Sequence, residues 1–326
     1  MSDEGEFDYI ARALAPLSAD WPGAFALRDD AAQIPVKPGH TLVITSDMLV
    51  EDRHFLPSDS LEDIAWKALA VNVSDLVAKG AKPAGYLVSM AWTRARLKDR
   101  DAWAEGLKAA QTRFDLALMG GDTTLSDGPF TVSITALGWV KGAGMIRRAG
   151  AKAGDLIVVT GLIGDAGLGL QCALGELSLA QDHQSTLLKA LRRPEPPLAL
   201  VDDLPHYLRA SADISDGLLS DLSHIATASG CGLSLDLERL PLSDAARAWL
   251  HSQANPGQAL SYLASAGDDY QIIGAIRPEK WDEFQAYAQT RHHRVTQVGV
   301  FTPGPDKKVR YQGQDVALSQ PGFTHF

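Results

Sequence analysis

With 326 residues, 45% of them hydrophobic and 21% charged, the chain is long enough for two domains with separate cores and is neither disordered nor fibrous in composition. A formal net charge of -10 argues against an extended basic face for nucleic acid or anionic membrane, and two cysteines, Cys172 and Cys231, are too few for a disulfide framework or a thiolate metal site. The acidic start Met1 to Glu6 lacks the basic and apolar regions of an export signal, and the most apolar window, Leu156 to Leu170, is broken by Asp165, so a soluble cytoplasmic protein is expected.

The first clear element is Thr41 to Asp47, a β-branched run read as a strand that delivers Thr45, Ser46 and Asp47 at its end. Ser60 offers an N-cap, and Glu62 and Asp63 a first turn, for a helix bearing Leu61, Ile64, Ala68, Val71 and Leu76. Asp75 shares a face of that helix with Asn72 and Ala68, which aims a carboxylate inward or into a cleft. Gly80 closes the helix; Tyr86 to Trp92 reads as the next strand. A second helix over Asp101 to Phe114 leads into Leu116 to Met119 and a turn at Gly120-Gly121-Asp122. Phe130 to Ala136 alternates apolar and polar residues as a strand with one buried face does. This order of elements is an α+β layer compatible with a ferredoxin-like sheet, whose open face or edge makes dimerisation a reasonable expectation.

Composition shifts at Gly142 to Ala151, which places the domain boundary near residue 150, with domains over 1–149 and 150–326. Asp155 to Thr160 reads as a buried strand, and Gly161, Gly164, Gly167 and Gly169 open a helix after it. The pattern suggests a phosphate loop, but no Gly-Lys-Ser/Thr follows, and tight helix packing is the default. Pro194, Pro196 and Pro197 mark a bend, and Ser211 to Gly217 reads as a turn into an amphipathic helix bearing Leu218, Leu222 and Ile225 and ending at Gly230. Strands are expected at Leu233 to Leu237 and Gln271 to Ile276, helices at Ala245 to His251 and Glu279 to Thr290, and the last buried strand at Val295 to Val300.

Six aspartates, Asp30, Asp47, Asp75, Asp122, Asp213 and Asp216, recur at ends of apolar runs or beside glycines. Singly, each is read as a cap or a turn residue, and Asp221 is set aside on that ground. Together, without matching histidines or cysteines, they ask for a hard cation, and magnesium beside a polyphosphate is the usual one.

The motifs Asp29-Asp30-Ala31-Ala32, Thr45-Ser46-Asp47, Glu51 to Phe55, Ala70 to Leu76, Gly120 to Thr124, Arg148 to Asp155, Asp213 to Gly217 and the closing Gly322 to Phe326 run in one order over nearly the whole chain. In that order they resemble the thiamine-monophosphate kinase family, within the superfamily of aminoimidazole ribonucleotide synthetase. The resemblance implies a two-domain fold with an N-terminal ferredoxin-like sheet layer and a C-terminal α/β domain. It further implies ATP-dependent phosphorylation of thiamine monophosphate to thiamine diphosphate, several Mg2+ ions, and a homodimer built on the N-terminal domain, which also binds ATP and magnesium. By the same likeness Asp30, Thr45, Ser46, Asp47, Asp75, Asp122, Asp213 and Asp216 resemble metal ligands, Gly121, Asp122, Arg148 and Ser215 nucleotide contacts, and His54, Asp268 and Phe323 substrate contacts. No general base is assigned, because the acceptor is itself an ionised phosphate.

Two positions depart from the family pattern: Arg28 stands where Gly usually precedes the Asp-Asp pair, and Asp268 stands where a Glu is usual before Asp269-Tyr270. Two rivals stay open on sequence alone. Another superfamily chemistry lacks the terminal cysteine it would want, and a nucleotide-binding regulator without turnover would not need so complete an acidic set.

Overall fold

The computed structural model describes residues 5–142 and 144–316. The Gly322 to Phe326 ending, with Phe323, lies outside the described residues. The chain forms two compact units: the first runs to Gly144 without residues 77–80, and the second comprises Val77–Gly80 and the chain from Met145 onward.

In the first unit, strands β1 (His40–Val50), β2 (Lys82–Trp92), β3 (Ala117–Leu125) and β4 (Thr131–Lys141) form one sheet in the order β1-β4-β2-β3. Helix α1 (Leu61–Ala78) follows β1, and α2 (Arg100–Phe114) follows β2. Both helices cover one face of the sheet: Trp92 of β2 packs edge-on against Trp103 of α2, the Tyr86 hydroxyl donates to Gln111, and Thr45 of β1 reaches Asp75 of α1. Alternation along β2 buries Tyr86, Val88, Met90 and Trp92 under the helices and leaves Leu87 and Ser89 on the other face. That second face carries exposed Ile44 and Met48 and a cavity of about 700 Å³ beside the N-terminal segment.

The expected elements of this unit form, with one correction. Gly120-Gly121-Asp122 is not a turn but the middle of β3, paired in parallel with Leu87, Val88 and Ser89. Glycine serves a close approach there, since a Cβ on Gly121 would stand 1.8 Å from the Val88 carbonyl oxygen.

The second unit holds a seven-stranded sheet ordered β11-β10-β7-β9-β5-β8-β6. Its elements in chain order are β5 (Leu156–Thr160), α3 (Asp165–Ala173), α4 (Gln181–Arg192), β6 (Leu208–Asp213), α5 (Leu218–Ser229), β7 (Gly232–Asp236), α6 (Asp244–His251), α7 (Pro256–Ser265), β8 (Ile272–Ile276), α8 (Trp281–Thr290), β9 (Val295–Thr302), β10 (Lys307–Tyr311) and β11 (Gln314–Asp315). Ile157, Val159, Leu168, Leu218, Leu222 and Ile225 lie in one apolar core with the buried faces of α6 and α7.

One reading is corrected here, and some elements were not foreseen. Ser211 to Asp213 is the end of β6 rather than part of a turn. Val295–Thr302 is the last strand with a substantially buried face, as expected; β10 and β11 follow it and were not foreseen, because β10 buries only Val309 among charged neighbours at the sheet margin and shows no apolar period. Helix α7 was not foreseen, although Asn255 caps Gln258 and Pro256 takes the first turn, both ordinary start signals.

Candidate active site

The two-residue period of β1 divides the expected ligands of the first unit. Val43, Thr45, Asp47 and Leu49 share the face under α1, while Ile44, Ser46 and Met48 share the opposite one. On the helix side the Thr45 hydroxyl donates to Asp75 Oδ2 at 2.5 Å. The Asp47 carboxyl is pushed up to about 6, first by burial and then by the nearby charge of Asp75. A buried carboxyl beside a second carboxylate gains proton affinity, and a cation beside it relieves the cost. Ser46 instead meets Thr135 across the sheet, its hydroxyl 3.0 Å from the other, on the open face.

The open face gathers a second set. Asp122 lies beside Ser89 in the register of β2 and β3, and Ser89 pairs with Ser133 of β4. Asp30, Asp122, Ser89 and Thr135 all line the cavity. The loop carrying Asp30 is anchored where Trp21 Nε1 donates to the Gln33 carbonyl at 2.9 Å. Just before Arg28, the residues Phe25, Ala26 and Leu27 have φ of 52°, 56° and 57°, a run of left-handed backbone without glycine. Such a run is strained, so the sequence departure at Arg28 coincides with a backbone departure.

His54 sits in a loop held on all sides. Its Nδ1 accepts the Val50 N–H at 3.0 Å, which fixes the tautomer with the proton on Nε2, and its carbonyl accepts from buried Lys67. Arg96 binds Glu51 Oε1 through Nε at 2.9 Å and Nη2 at 2.6 Å and also reaches the carbonyls of Pro57 and Asp59. Phe55 packs edge-on to Phe130, itself stacked on Trp92. Sequence reading singled out His54 but not Arg96 or Lys67; Lys67 carried the signal of a lone charge among apolar residues, whereas Arg96 stands in a charged run that hides it.

In the second unit, β6 ends at buried Asp213, and the chain turns through half-buried Ser215 and Asp216 into α5. A facing loop is laced to this turn: Tyr270 N–H donates to the Ile214 carbonyl at 2.8 Å and Asp268 N–H to the Ser215 carbonyl at 2.9 Å. Gly267, at φ 78°, has no room for a Cβ, which would stand 2.6 Å from the Ser215 carbonyl oxygen. Asp268 Oδ1 accepts from the Tyr270 hydroxyl at 2.9 Å, and both residues have left-handed φ. Arg148 is exposed on a strap in which Arg147 accepts the Ser211 N–H and Ser229 binds the N–H groups of Gly150 and Ala151. The Asp221 carboxyl is pushed up to about 7, first by burial and then by the charge of Asp216, and the Arg148 charge opposes this only weakly.

The glycine loop before α3 is a packing device. Gly164 N–H donates to the buried Asp269 carboxylate at 2.8 Å, and a Cβ on Gly169 would stand 2.3 Å from the Leu187 carbonyl oxygen. An amide already bound to a buried carboxyl oxygen of the protein is not free to cradle a phosphate.

Among the described residues no cluster of three or more His, Cys, Asp or Glu side chains encloses a metal by itself. Magnesium does not require such a cluster, since it takes one or two carboxylates and completes its octahedron with phosphate oxygens and water.

Residues 28–140 match the family model of the AIR synthase related protein N-terminal domain, and residues 152–312 that of the C-terminal domain. A thiamine-monophosphate kinase of Caulobacter vibrioides is 44% identical over 321 residues, spanning 98% of this chain and 90% of that relative. The chain belongs to the thiamine-monophosphate kinase family. A Haemophilus influenzae member is 36% identical across 99% of this chain and 98% of its own. The crystal structure of the Stenotrophomonas maltophilia kinase superposes with a TM-score of 0.80 at 33% identity, covering 89% of this chain and 91% of that one. AaThiL, solved as a complex with AMPPCP and TMP, superposes with a TM-score of 0.78 at 29% identity and covers 100% of this chain and 98% of its own. The two-domain AIR synthase-like α+β fold expected from the motifs is therefore the fold of this member of the kinase family. No helix among the described residues is long and apolar enough to cross a membrane.

Proposed function

We propose that this protein is an enzyme transferring the terminal phosphoryl group of ATP to thiamine monophosphate, giving thiamine diphosphate. The observation that carries the reading is the end-to-end likeness to kinases of that name, one of them solved with an ATP analogue and TMP. The paired carboxylates of Asp47 and Asp75 and the all-oxygen donor set support the choice of magnesium as its metal.

Phosphoryl transfer between anions needs positioning and charge neutralisation more than covalent chemistry. Magnesium, when bound, supplies the positive charge that draws phosphate oxygens together. In the first unit, Asp47 and Asp75 with Thr45 would hold metal on the helix side, and Asp30 and Asp122 would offer carboxylates on the open face. Ser46 has its side chain turned away from Asp47, so its part beside that residue falls to its backbone carbonyl. In the second unit, Asp213 and Asp216 would hold metal, and the Ser215 hydroxyl and the Arg148 guanidinium would donate to phosphate. His54, with a proton on Nε2, would donate to the acceptor. Asp268 would meet it from a carboxylate shared with the Tyr270 hydroxyl, and Phe323 would complete the acceptor contacts. No side chain is given the part of general base. The open face of the first unit would join two copies, and the enzyme would work in the cytoplasm.

The test is a turnover assay with ATP, magnesium and thiamine monophosphate, with free thiamine in parallel and Asp47→Asn as the control. Thiamine diphosphate formed from the monophosphate alone, with turnover lowered at least about a hundredfold in Asp47→Asn, is the expected result. ATP binding without any thiamine diphosphate would sink the reading.

A further inference from the structure

In the turn that carries Asp213, Ser215 and Asp216, the successive amides of Ile214, Ser215 and Asp216 are committed within the protein. Ile214 N–H donates to the Gln271 carbonyl at 2.8 Å, and the N–H groups of Ser215 and Asp216 both donate to Asp221 Oδ2 at 3.1 Å. Asp221 lies in the first turn of α5 and is 1% exposed, on the same helix face as the core residues Leu218, Leu222 and Ile225. Two successive amides pointing to one spot form a nest that binds anions. Here the spot is filled by an acceptor oxygen of the protein's own Asp221, so these amides are withheld from any phosphate.

This arrangement is more than an ordinary cap. A capping side chain precedes its helix and binds forward to the free amides of the first turn. Asp221 sits inside the helix and reaches back to the two peptides that precede Gly217. Gly217 itself, at φ 105°, sits too close to the Ser265 carbonyl for a Cβ, which would stand 2.6 Å away. The turn is thus held from one side by the Gly267 to Tyr270 loop and from the other by a single carboxylate oxygen.

We propose that Asp221 is a positioning residue of the phosphate site: by binding the Ser215 and Asp216 amides it fixes the turn that presents Asp213, Ser215 and Asp216. The inference rests on the reading of those three residues as contacts for magnesium and nucleotide. It assigns Asp221 no contact with ligand. What the residue supplies is an acceptor at one position, so an isosteric acceptor serves nearly as well and a missing one does not.

The test compares Asp221→Ala and Asp221→Asn with the wild type by amide hydrogen exchange in the ligand-free protein and by calorimetry with a magnesium-loaded, non-hydrolysable ATP analogue. Losing a hydrogen bond worth about 1.4 kcal/mol gives about tenfold faster exchange at the Ser215 and Asp216 amides of Asp221→Ala and about tenfold weaker nucleotide binding, with β4 amides unchanged. Asp221→Asn keeps an acceptor and should restore most of both. Where the alanine variant does not fold, Asp221→Glu displaces the acceptor by one methylene and is expected to loosen the same two amides. Unchanged protection of these amides in a folded alanine or glutamate variant overturns the inference. Loosened amides with undiminished nucleotide affinity also overturn it, by removing the turn from the phosphate site, and that outcome counts against the proposed role of Asp213 and Asp216 rather than against the anchor.

Discussion

Asp269 is the buried acid on which a pH dependence should be readable. Burial holds its carboxyl well above the usual carboxylate range; the Gly164 N–H opposes this, and the charges of Asp165, Asp268 and Asp221 add to it. The folded protein therefore binds this proton more tightly than the unfolded chain. The sign follows: the stability tied to protonated Asp269 is fully present below the unfolded value of about 4 and is lost as pH rises through the folded value. Each unit of separation amounts to about 1.4 kcal/mol. Asp269→Asn keeps an oxygen for Gly164 and removes the titration. Urea unfolding from about pH 5 to about pH 8 should then show a stability that falls less steeply in the variant than in the wild type. Equal slopes would mean that Asp269 does not set this dependence. Asp269 was legible only as part of a short motif, because a sequence does not reveal that a carboxylate faces a glycine amide over a hundred positions earlier.

At the scale of elements, the loop from Glu51 to Ser60 is ordered by side-chain and backbone contacts rather than by secondary structure, with the Arg96 guanidinium tying Glu51, Pro57 and Asp59 together. Arg96 and Glu51 are 16% and 14% exposed, so their ion pair is partly screened, and removing one partner leaves a half-buried charge on the other. Arg96→Ala is expected to cost about 1–3 kcal/mol, less than for a fully buried pair. Because this loop carries His54, steady-state kinetics should show a higher KM for thiamine monophosphate with the KM for ATP unchanged. A shift in the ATP constant alone would move His54 to the other substrate. Elements with a clear period or cap were readable in advance: Ser60 caps α1 by accepting the Asp63 N–H, and α5 ends at left-handed Gly230. What escaped was structure made by distant partners. Two glycines read as a turn became the middle of β3 because Val88 approaches them, and charged β10 joins a sheet whose stability comes from its neighbours.

For the molecule as a whole, the likeness to one kinase family was readable because its motifs are spread over nearly the full length, yet the motifs did not say which face each side chain takes. Ser46 follows Thr45 in sequence and lies on the opposite side of the sheet, since one residue along a strand reverses the side chain. That reversal also defines the face left for assembly. Ile44 is 59% exposed and Met48 57% exposed on the open side of β1. Exposed apolar side chains on an otherwise polar sheet face favour the proposed second copy, and a two-fold contact would repeat every substitution in both partners. Met48 is the better probe, because it is not among the residues lining the cavity with Asp30 and Asp122. Met48→Lys should bring two ammonium groups into one apolar contact, where desolvation and mutual repulsion oppose association. Sedimentation of the wild type is expected to give twice the 34.9 kDa chain mass, and of Met48→Lys the single chain mass with its circular dichroism unchanged. A variant that stays dimeric would put the interface elsewhere on the molecule, and a monomeric wild type would remove the dimer from the proposal altogether.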